Sequence, residues 1–229
     1  MKIYSLLLFM IFSAVATLAQ KPVHLKLKEQ LDSILQTDQG IREFVDSETS
    51  EKRKDTLAQF FNYPKEELKK HAWNIMPKID SANLKKVEII ISKYGYPGKT
   101  LVGEPANTAV FYVIQHNPTK ISAYYPLIEK AGKKGELPFK YVAMMLDRKL
   151  TQKGEDQIYG TQVYGLMINN PGTGKKEFFQ YVMPIKDPKN VNKRRKKAGF
   201  DSTVEANALR LGVVYKAYTK AEIDKIIKQ

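Results

Sequence analysis

Side chains that can transfer protons or bind polar ligands are concentrated between His116 and Gln162. His116 and Asp147 are the candidate catalytic residues, because a histidine oriented by a carboxylate acts as a general base or acid. Arg148 can bind an anionic group through two parallel hydrogen bonds. The other candidate binding residues are polar side chains from a following segment and one later arginine: Gln157, Tyr159, Thr161, Gln162 and Arg195.

Predicted helix ends and a predicted strand position these residues. His116 ends an apolar helix that starts after Glu104-Pro105, and Asp147 and Arg148 end a helix that Pro138 opens. The segment 157–162 begins a predicted strand, on which alternate residues share a face. Helix ends that converge on a strand can form a cleft, so a ligand site is expected there.

The same residue types also fit a structural role. Buried Asp, Arg, Gln, Tyr and Thr side chains can satisfy one another in a network that ties a hairpin to helices, and His116 can cap its own helix. Neighbouring residues on a helix do not face each other, so Asp147 and Arg148 need separate partners. Three hypotheses therefore stay open: a binding module, a hydrolase-like enzyme using His116 and Asp147, and a structural network.

Apolar periodicity predicts mostly helices over the first two thirds of the chain. Helices are expected at 25–35 and around Ile41–Val45, followed by a polar loop at 47–55. Pro64 opens the next helix, and Asp80 or Ser81 is the predicted cap of a further one, which Gly95 ends.

A change in residue types after position 156 predicts a β-hairpin. The segments 157–168 and 178–185 are rich in Tyr, Thr, Val, Ile and Phe, and residues 169–174 form a turn signal between them. Helical patterns return at 190–197 and 219–227, and Ser202 to Glu205 has the spacing of a capping box. The predicted fold is therefore α+β, a mostly helical single domain with one β-hairpin at about residues 157–185.

Several short words of this sequence resemble one known family. In chain order they are Asp38-Gln39 with Arg42, Gly95-Tyr96-Pro97, Val102-Gly103-Glu104, Gln115-His116, Asp147-Arg148, Gln157 to Gln162, Asp187-Pro188, Val191-Asn192 and Arg194-Arg195. The order resembles that of domain-of-unknown-function family 6624, over residues 38–199, and the run 157–162 is its most specific part. The resemblance implies a bacterial, often exported domain, and it implies no particular activity.

The first residues have the three zones of a cleavable signal peptide. Lys2 precedes an apolar run from Ile3 to Leu18, and small residues predict cleavage after Ala19. The run is shorter than the ~20 residues of a membrane span, so no transmembrane anchor is expected after cleavage. The predicted organisation is a signal peptide (1–19), an N-terminal helix (20–37), a family-like α+β domain (38–200) and a C-terminal helical extension (201–229), in an exported protein that is periplasmic or extracellular.

Composition limits the chemistry and the partners. The chain has no cysteine, which excludes disulfides and thiolate catalysis, and its three histidines lack a recognisable metal spacing, so no metal is predicted. No cofactor motif stands out. The formal net charge of +14 favours anionic partners. Because export argues against nucleic acid, the candidate partners are an anionic envelope polymer or a small polar ligand. The run 193–197 carries five of these charges, although such runs usually form a solvated face.

Overall fold

The computed structural model describes residues 24–169 and 174–228, and the predicted signal peptide lies outside them. These residues form ten α-helices and an antiparallel two-stranded hairpin, which confirms the predicted α+β class, a mostly helical single domain with one β-hairpin. None of these helices is both long and apolar enough to cross a membrane. The bounds are α1 (Leu25–Val45), α2 (Glu51–Phe60), α3 (Lys65–Tyr94), α4 (Lys99–Val102), α5 (Ala109–Gln115), α6 (Ile121–Lys133), α7 (Phe139–Gln152), β1 (Val163–Asn169), β2 (Lys176–Val182), α8 (Val191–Lys197), α9 (Val204–Arg210) and α10 (Lys220–Ile227).

The short helix α5 lies at the centre of the main core. Its residues are apolar around most of the circumference, and Val110, Phe111 and Ile114 are fully buried. Helices α1, α3, α6 and α7 all contact α5. This central position places the residue that ends α5, His116, at a junction between several helices.

Helix α1 is one continuous helix where the sequence suggested two. It passes through residues 37 and 38, so the predicted boundary between N-terminal helix and domain falls inside it. The predicted loop at 47–55 is also shorter than expected, because α2 starts at Glu51. Ser50 accepts a hydrogen bond from the backbone of Arg53 as its N-cap, and the Arg53 guanidinium binds both carboxylate oxygens of Glu43 at 2.8 Å.

Helix α3 extends over 30 residues and contains Pro77, although the sequence suggested a new helix capped near Asp80. A proline inside a helix removes one backbone hydrogen bond, and packing of α3 along α1 compensates for that loss. Asp80 does not cap a helix, because Arg42 of α1 binds both of its carboxylate oxygens at 2.8 Å.

The hairpin pairs Val163 with Val182 at one end and Asn169 with Lys176 at the other. Its first strand begins six residues later than predicted, because 157–162 form a loop, which an isolated bridge from Gln157 to Ile185 and further backbone hydrogen bonds join to the segment after β2. A second, smaller core joins the base of the hairpin to α8 and α9; its buried members are Val182, Ile185, Val191, Val204, Ala208 and Val213.

Candidate functional site

His116 and Asp38 form a buried pair between α5 and α1. The Nδ1 atom of His116 lies 3.1 Å from each carboxylate oxygen of Asp38, although the two residues are 78 positions apart in the chain. The Asp38 side chain is fully buried, whereas 17% of the His116 side chain is exposed. This geometry fits an Nδ1–H that donates to Asp38, which leaves the lone pair on Nε2.

Three further side chains complete the surroundings of Asp38. The Gln39 amide donates to Oδ2 at 2.6 Å, and the Arg42 guanidinium lies 3.6 Å from Oδ1. Burial raises the pKa of Tyr112, and the hydroxyl of Tyr141 and the charge of Asp38 raise it further. Tyr112 is therefore the third neighbour of the Asp38 carboxylate.

A surface cavity of about 400 Å³ opens next to this pair, between α1 and the helices α5 and α7. Gln39 and Tyr112 belong both to its wall and to the surroundings of Asp38. Asp38 and His116 do not line this space themselves, and Gln39 and Tyr112 connect its wall to the pair. The space is large enough for a small ligand. Its wall carries the charged residues Asp32, Glu43 and Arg53 and the uncharged polar residues Gln36, Gln39, Thr108, Tyr112 and Tyr141.

Arg148 lies on the face of α7 that contacts α5. It follows Tyr141 by seven residues and precedes Gln152 by four, and this spacing places all three on one helix face. Tyr141 packs against Tyr112 with ring centroids 5.7 Å apart, and the Gln152 amide donates to the carbonyl of Pro118 at 3.3 Å. Among residues 24–169 and 174–228, no hydrogen bond or ion pair satisfies the half-buried guanidinium of Arg148, and burial lowers its pKa.

Asp38, Asp80 and His116 could also hold a metal ion, since one ligand atom from each lies within 4.8 Å of the others. Arg42, however, binds both oxygens of Asp80 and lies near Asp38. A cation would have to share these carboxylates with the guanidinium charge. The absence of a metal therefore stays a prediction from the sequence.

Asp147, the other candidate catalytic residue, belongs to a different cluster. Its carboxylate accepts backbone N–H groups of Ile158 at 2.7 Å, Tyr159 at 3.0 Å and Thr161 at 3.0 Å, and the Thr161 hydroxyl at 2.9 Å. Burial raises the pKa of Asp147, and these donors oppose the increase. In the described part of the chain no hydrogen bond or ion pair joins Asp147 to His116, so Asp38 has the orienting position that the sequence suggested for Asp147.

The loop that Asp147 holds is closed by Gln157. This fully buried amide accepts from the backbone N–H of Gln162 at 2.8 Å and donates to the carbonyls of Gln162 at 2.9 Å and Met183 at 2.7 Å. The Gln162 side chain in turn donates to the Thr161 hydroxyl at 3.1 Å. These residues were predicted to line a site from a strand, and the structure places them in a loop whose polar groups bind one another.

Arg195 supports the same loop from α8. Its guanidinium donates to the carbonyls of Tyr159 and Ser202, each at 2.9 Å, and lies 4.4 Å from the centre of the Phe200 ring. Only 1% of Arg195 is exposed, and burial lowers its pKa. The neighbouring Arg194 binds Asp187 at 3.2 Å.

One of three comparisons with known proteins identifies a family for this chain. A family model described as a family of unknown function (DUF6624) matches residues 27–218, most of the chain. The chain belongs to this family. Comparisons with curated proteins and with solved structures found no match.

In this DUF6624 domain, several of the words that carried the resemblance converge in two clusters. Asp38-Gln39, Arg42 and His116 meet around the buried Asp38 carboxylate, whereas Asp147, the segment 157–162 and the two arginines at 194–195 meet around the loop. Asp38 was not predicted as the partner of His116. The signal available was the Asp38-Gln39 word itself, a polar pair inside an otherwise amphipathic helix.

Proposed function

We propose that this domain binds a polar ligand in the cavity between α1, α5 and α7, and that the Asp38–His116 pair transfers a proton there. The observation that carries the proposal is the contact of 3.1 Å between His116 Nδ1 and the buried Asp38 carboxylate. This contact leaves Nε2 as the proton acceptor, and no described residue binds that atom. A carboxylate in this position orients the imidazole and stabilises its protonated form.

The proposed chemistry is hydrolase-like. His116 Nε2 takes a proton from a water molecule or a ligand hydroxyl and later returns it to the leaving group. Tyr112 and Gln39 form the wall beside the pair and supply hydrogen bonds that orient the ligand. The earlier hypothesis that Asp147 shares in the acid–base step has less support, because its acceptor positions are taken by the loop.

A thermal-shift screen of the full chain against sugars, nucleotides, peptides and small organic acids tests the binding part of this proposal. We expect at least one compound to raise the Tm of the wild type and of His71→Ala, but not of His116→Ala. His71 is the matched control, because its half-exposed side chain pairs with Glu67 at 3.6 Å and does not line the cavity. A ligand whose effect survives in His116→Ala contradicts the site.

Turnover of that compound separates catalysis from binding. Asp38→Asn keeps the shape of the side chain but removes the charge that orients and stabilises the imidazole. We expect the variant to retain ligand binding and to lose turnover by about 100-fold or more. Equal turnover in wild type and Asp38→Asn contradicts proton transfer by the pair, while a ligand that binds without turnover in the wild type restricts the function to binding.

A second candidate role, a purely structural network, applies to the cluster around Asp147. The hydrogen bonds that this carboxylate accepts from the loop 157–161 support it. In this proposal Asp147, Gln157 and Arg195 stabilise the junction of hairpin and helices and do not contact a ligand.

We also propose that the domain acts outside the cytoplasm, in the periplasm or beyond the cell, after signal-peptide cleavage behind Ala19. The three-zone pattern of residues 1–19 supports this location. An anionic envelope polymer or a small polar ligand is then the partner class to test. Expression in a bacterial host followed by N-terminal sequencing of the exported protein should give Gln20 as the first residue, and an intact Met1 would contradict cleavage.

A further inference from the structure

Arg148 is a half-buried cation that the fold leaves without an anionic partner. The neighbouring Asp147 points to the loop on another side of α7, where backbone donors bind it. The guanidinium itself forms no hydrogen bond or ion pair to the described residues. Partial burial of an unpaired charge costs free energy, and a bound anion would offset that cost.

Two contacts between α7 and the segment 112–118 indicate how far along the helices Arg148 and His116 lie. Near the start of α7, Tyr141 packs against Tyr112 of α5, and at its end Gln152 binds the carbonyl of Pro118. The two helices therefore run side by side in the same direction. His116 lies about two thirds of the way between the two contact points on its chain, and Arg148 lies about two thirds of the way between them on α7.

From this arrangement we infer that the ligand carries an anionic group, a carboxylate or a phosphate, that pairs with Arg148 beside His116. The inference rests on the proposed function, because it assigns the class of the ligand on which His116 acts; Arg148 itself lies outside the set of residues that line the cavity. The planar guanidinium presents two parallel N–H groups, which match the oxygen atoms of either anion. An anion held there would place the adjoining part of the ligand next to His116 Nε2.

The test uses the full chain with inorganic phosphate and with acetate as probes, at constant ionic strength set with chloride. At constant ionic strength the screening of charges is the same in every sample. A response to the probe therefore does not arise from screening of the net charge of +14. NMR follows the side-chain Nε–H signal of arginine residues and the ring signals of His116. We expect phosphate, acetate or both to shift the Arg148 and His116 signals in a saturable way, and the stronger probe identifies the favoured class.

Three variants make the result specific. Arg148→Gln should weaken binding of the probe by about tenfold or more, since it removes charge-assisted hydrogen bonds. Arg148→Lys retains the charge but lacks the two parallel N–H groups of the guanidinium, so its affinity for the probe should lie between those of the wild type and Arg148→Gln. Lys149→Gln is the matched control, because its ammonium group lies over the Tyr125 ring at 4.4 Å, and it should bind as the wild type does. The Tm of each variant in chloride alone checks folding.

The inference is overturned if neither probe shifts the Arg148 signal, or if Arg148→Gln and the wild type respond equally. Its failure is distinguishable from failure of the proposed function. One outcome is that Arg148→Gln leaves the affinity of a ligand unchanged while His116→Ala abolishes its binding. That result supports the proposed ligand site and contradicts the inference that the ligand is anionic. The converse outcome is that Asp38→Asn binds the anion and turns over a ligand as the wild type does. That result supports anion binding by Arg148 and contradicts proton transfer by the Asp38–His116 pair.

Discussion

Two buried carboxylates, Asp38 and Asp147, are satisfied by different kinds of donor. Asp147 binds mainly backbone N–H groups, which cannot move without the loop. Asp38 is surrounded by side chains, the imidazole of His116, the amide of Gln39 and the guanidinium of Arg42. Side chains can reorient when a ligand binds, so Asp38 suits a working site and Asp147 suits a structural one.

Replacing Asp147 by alanine should destabilise the protein strongly. The substitution leaves the backbone N–H groups of Ile158, Tyr159 and Thr161 without their acceptor, and each buried unsatisfied donor costs about 1–3 kcal/mol. Because such costs are not additive, we expect the free energy of unfolding to fall by about 3 kcal/mol or more. Chemical denaturation monitored by circular dichroism measures this change.

The control for this prediction is Asp201→Ala. The Asp201 side chain is 93% exposed, and its ion pair with Lys140 spans 3.6 Å. Its removal should leave stability nearly unchanged. If Asp147→Ala were as stable as this control, the loop would not depend on the carboxylate, and a functional role for Asp147 would regain support.

At the scale of elements, the loop 157–162 joins α7 and the hairpin to α8 and α9. Gly160 is the point of closest approach, because a Cβ atom there would lie 2.6 Å from Val204 Cγ2 and 2.8 Å from Ile185 Cδ1. The residue also has a φ of +67°, which L-amino acids with side chains rarely adopt. Both conformation and space therefore require glycine at this position.

A pair of substitutions separates these two requirements. Gly160→Ala should lower the free energy of unfolding through backbone strain and overpacking together, the latter costing about 1–3 kcal/mol. Gly154→Ala has a similar φ of +69° but no atom within 4 Å of the added Cβ, so it reports backbone strain alone. Urea titrations should show the larger loss for Gly160→Ala. Equal losses would mean that Val204 and Ile185 move aside without cost.

The sequence predicted the types of element well and several of their limits poorly. Periodicity identified the central helix α5 and the hairpin, since both depend on local apolar patterns. The long helix α3 was divided at Asp80 because Asp commonly caps helices, whereas Arg42 binds that carboxylate. The strand prediction began too early because the polar run 157–162 has strand-like residue types but folds around the Asp147 carboxylate.

The candidate site was predictable only in part. His116 and Arg148 were recognised from residue type and from their positions at helix ends. The partner of His116 was not, because Asp38 and His116 are 78 positions apart and nothing local in the sequence indicates their contact. Asp147 was assigned to chemistry as the carboxylate that could orient the imidazole of His116, and only its hydrogen bonds show which partners it has.

At the scale of the whole molecule, the net charge of +14 comes from an excess of Lys and Arg, and some of these cations are buried while others are exposed. Within the basic run of α8, Arg194 and Arg195 bind carbonyls of the loop, whereas Lys193, Lys196 and Lys197 are exposed. The structural part of this run is therefore distinct from the part that faces solvent. Long-range attraction to an anionic polymer is expected from the exposed lysines, and recognition of a single ligand is expected from the cavity.

A triple substitution of Lys193, Lys196 and Lys197 by glutamine separates these two effects. In low salt we expect the variant to bind polyglutamate several-fold more weakly than the wild type, because attraction to a polyanion depends on surface charge. Raising the ionic strength should remove most of the difference, since exposed charges are screened. Fluorescence anisotropy of a labelled polymer measures binding at both salt concentrations.

The triple variant should keep the response of Arg148 to phosphate, and Arg148→Gln should keep polymer binding. If Arg148→Gln reduced polymer binding as much as the triple variant, Arg148 would belong to the polymer site together with the exposed lysines, and the two effects would not be separate.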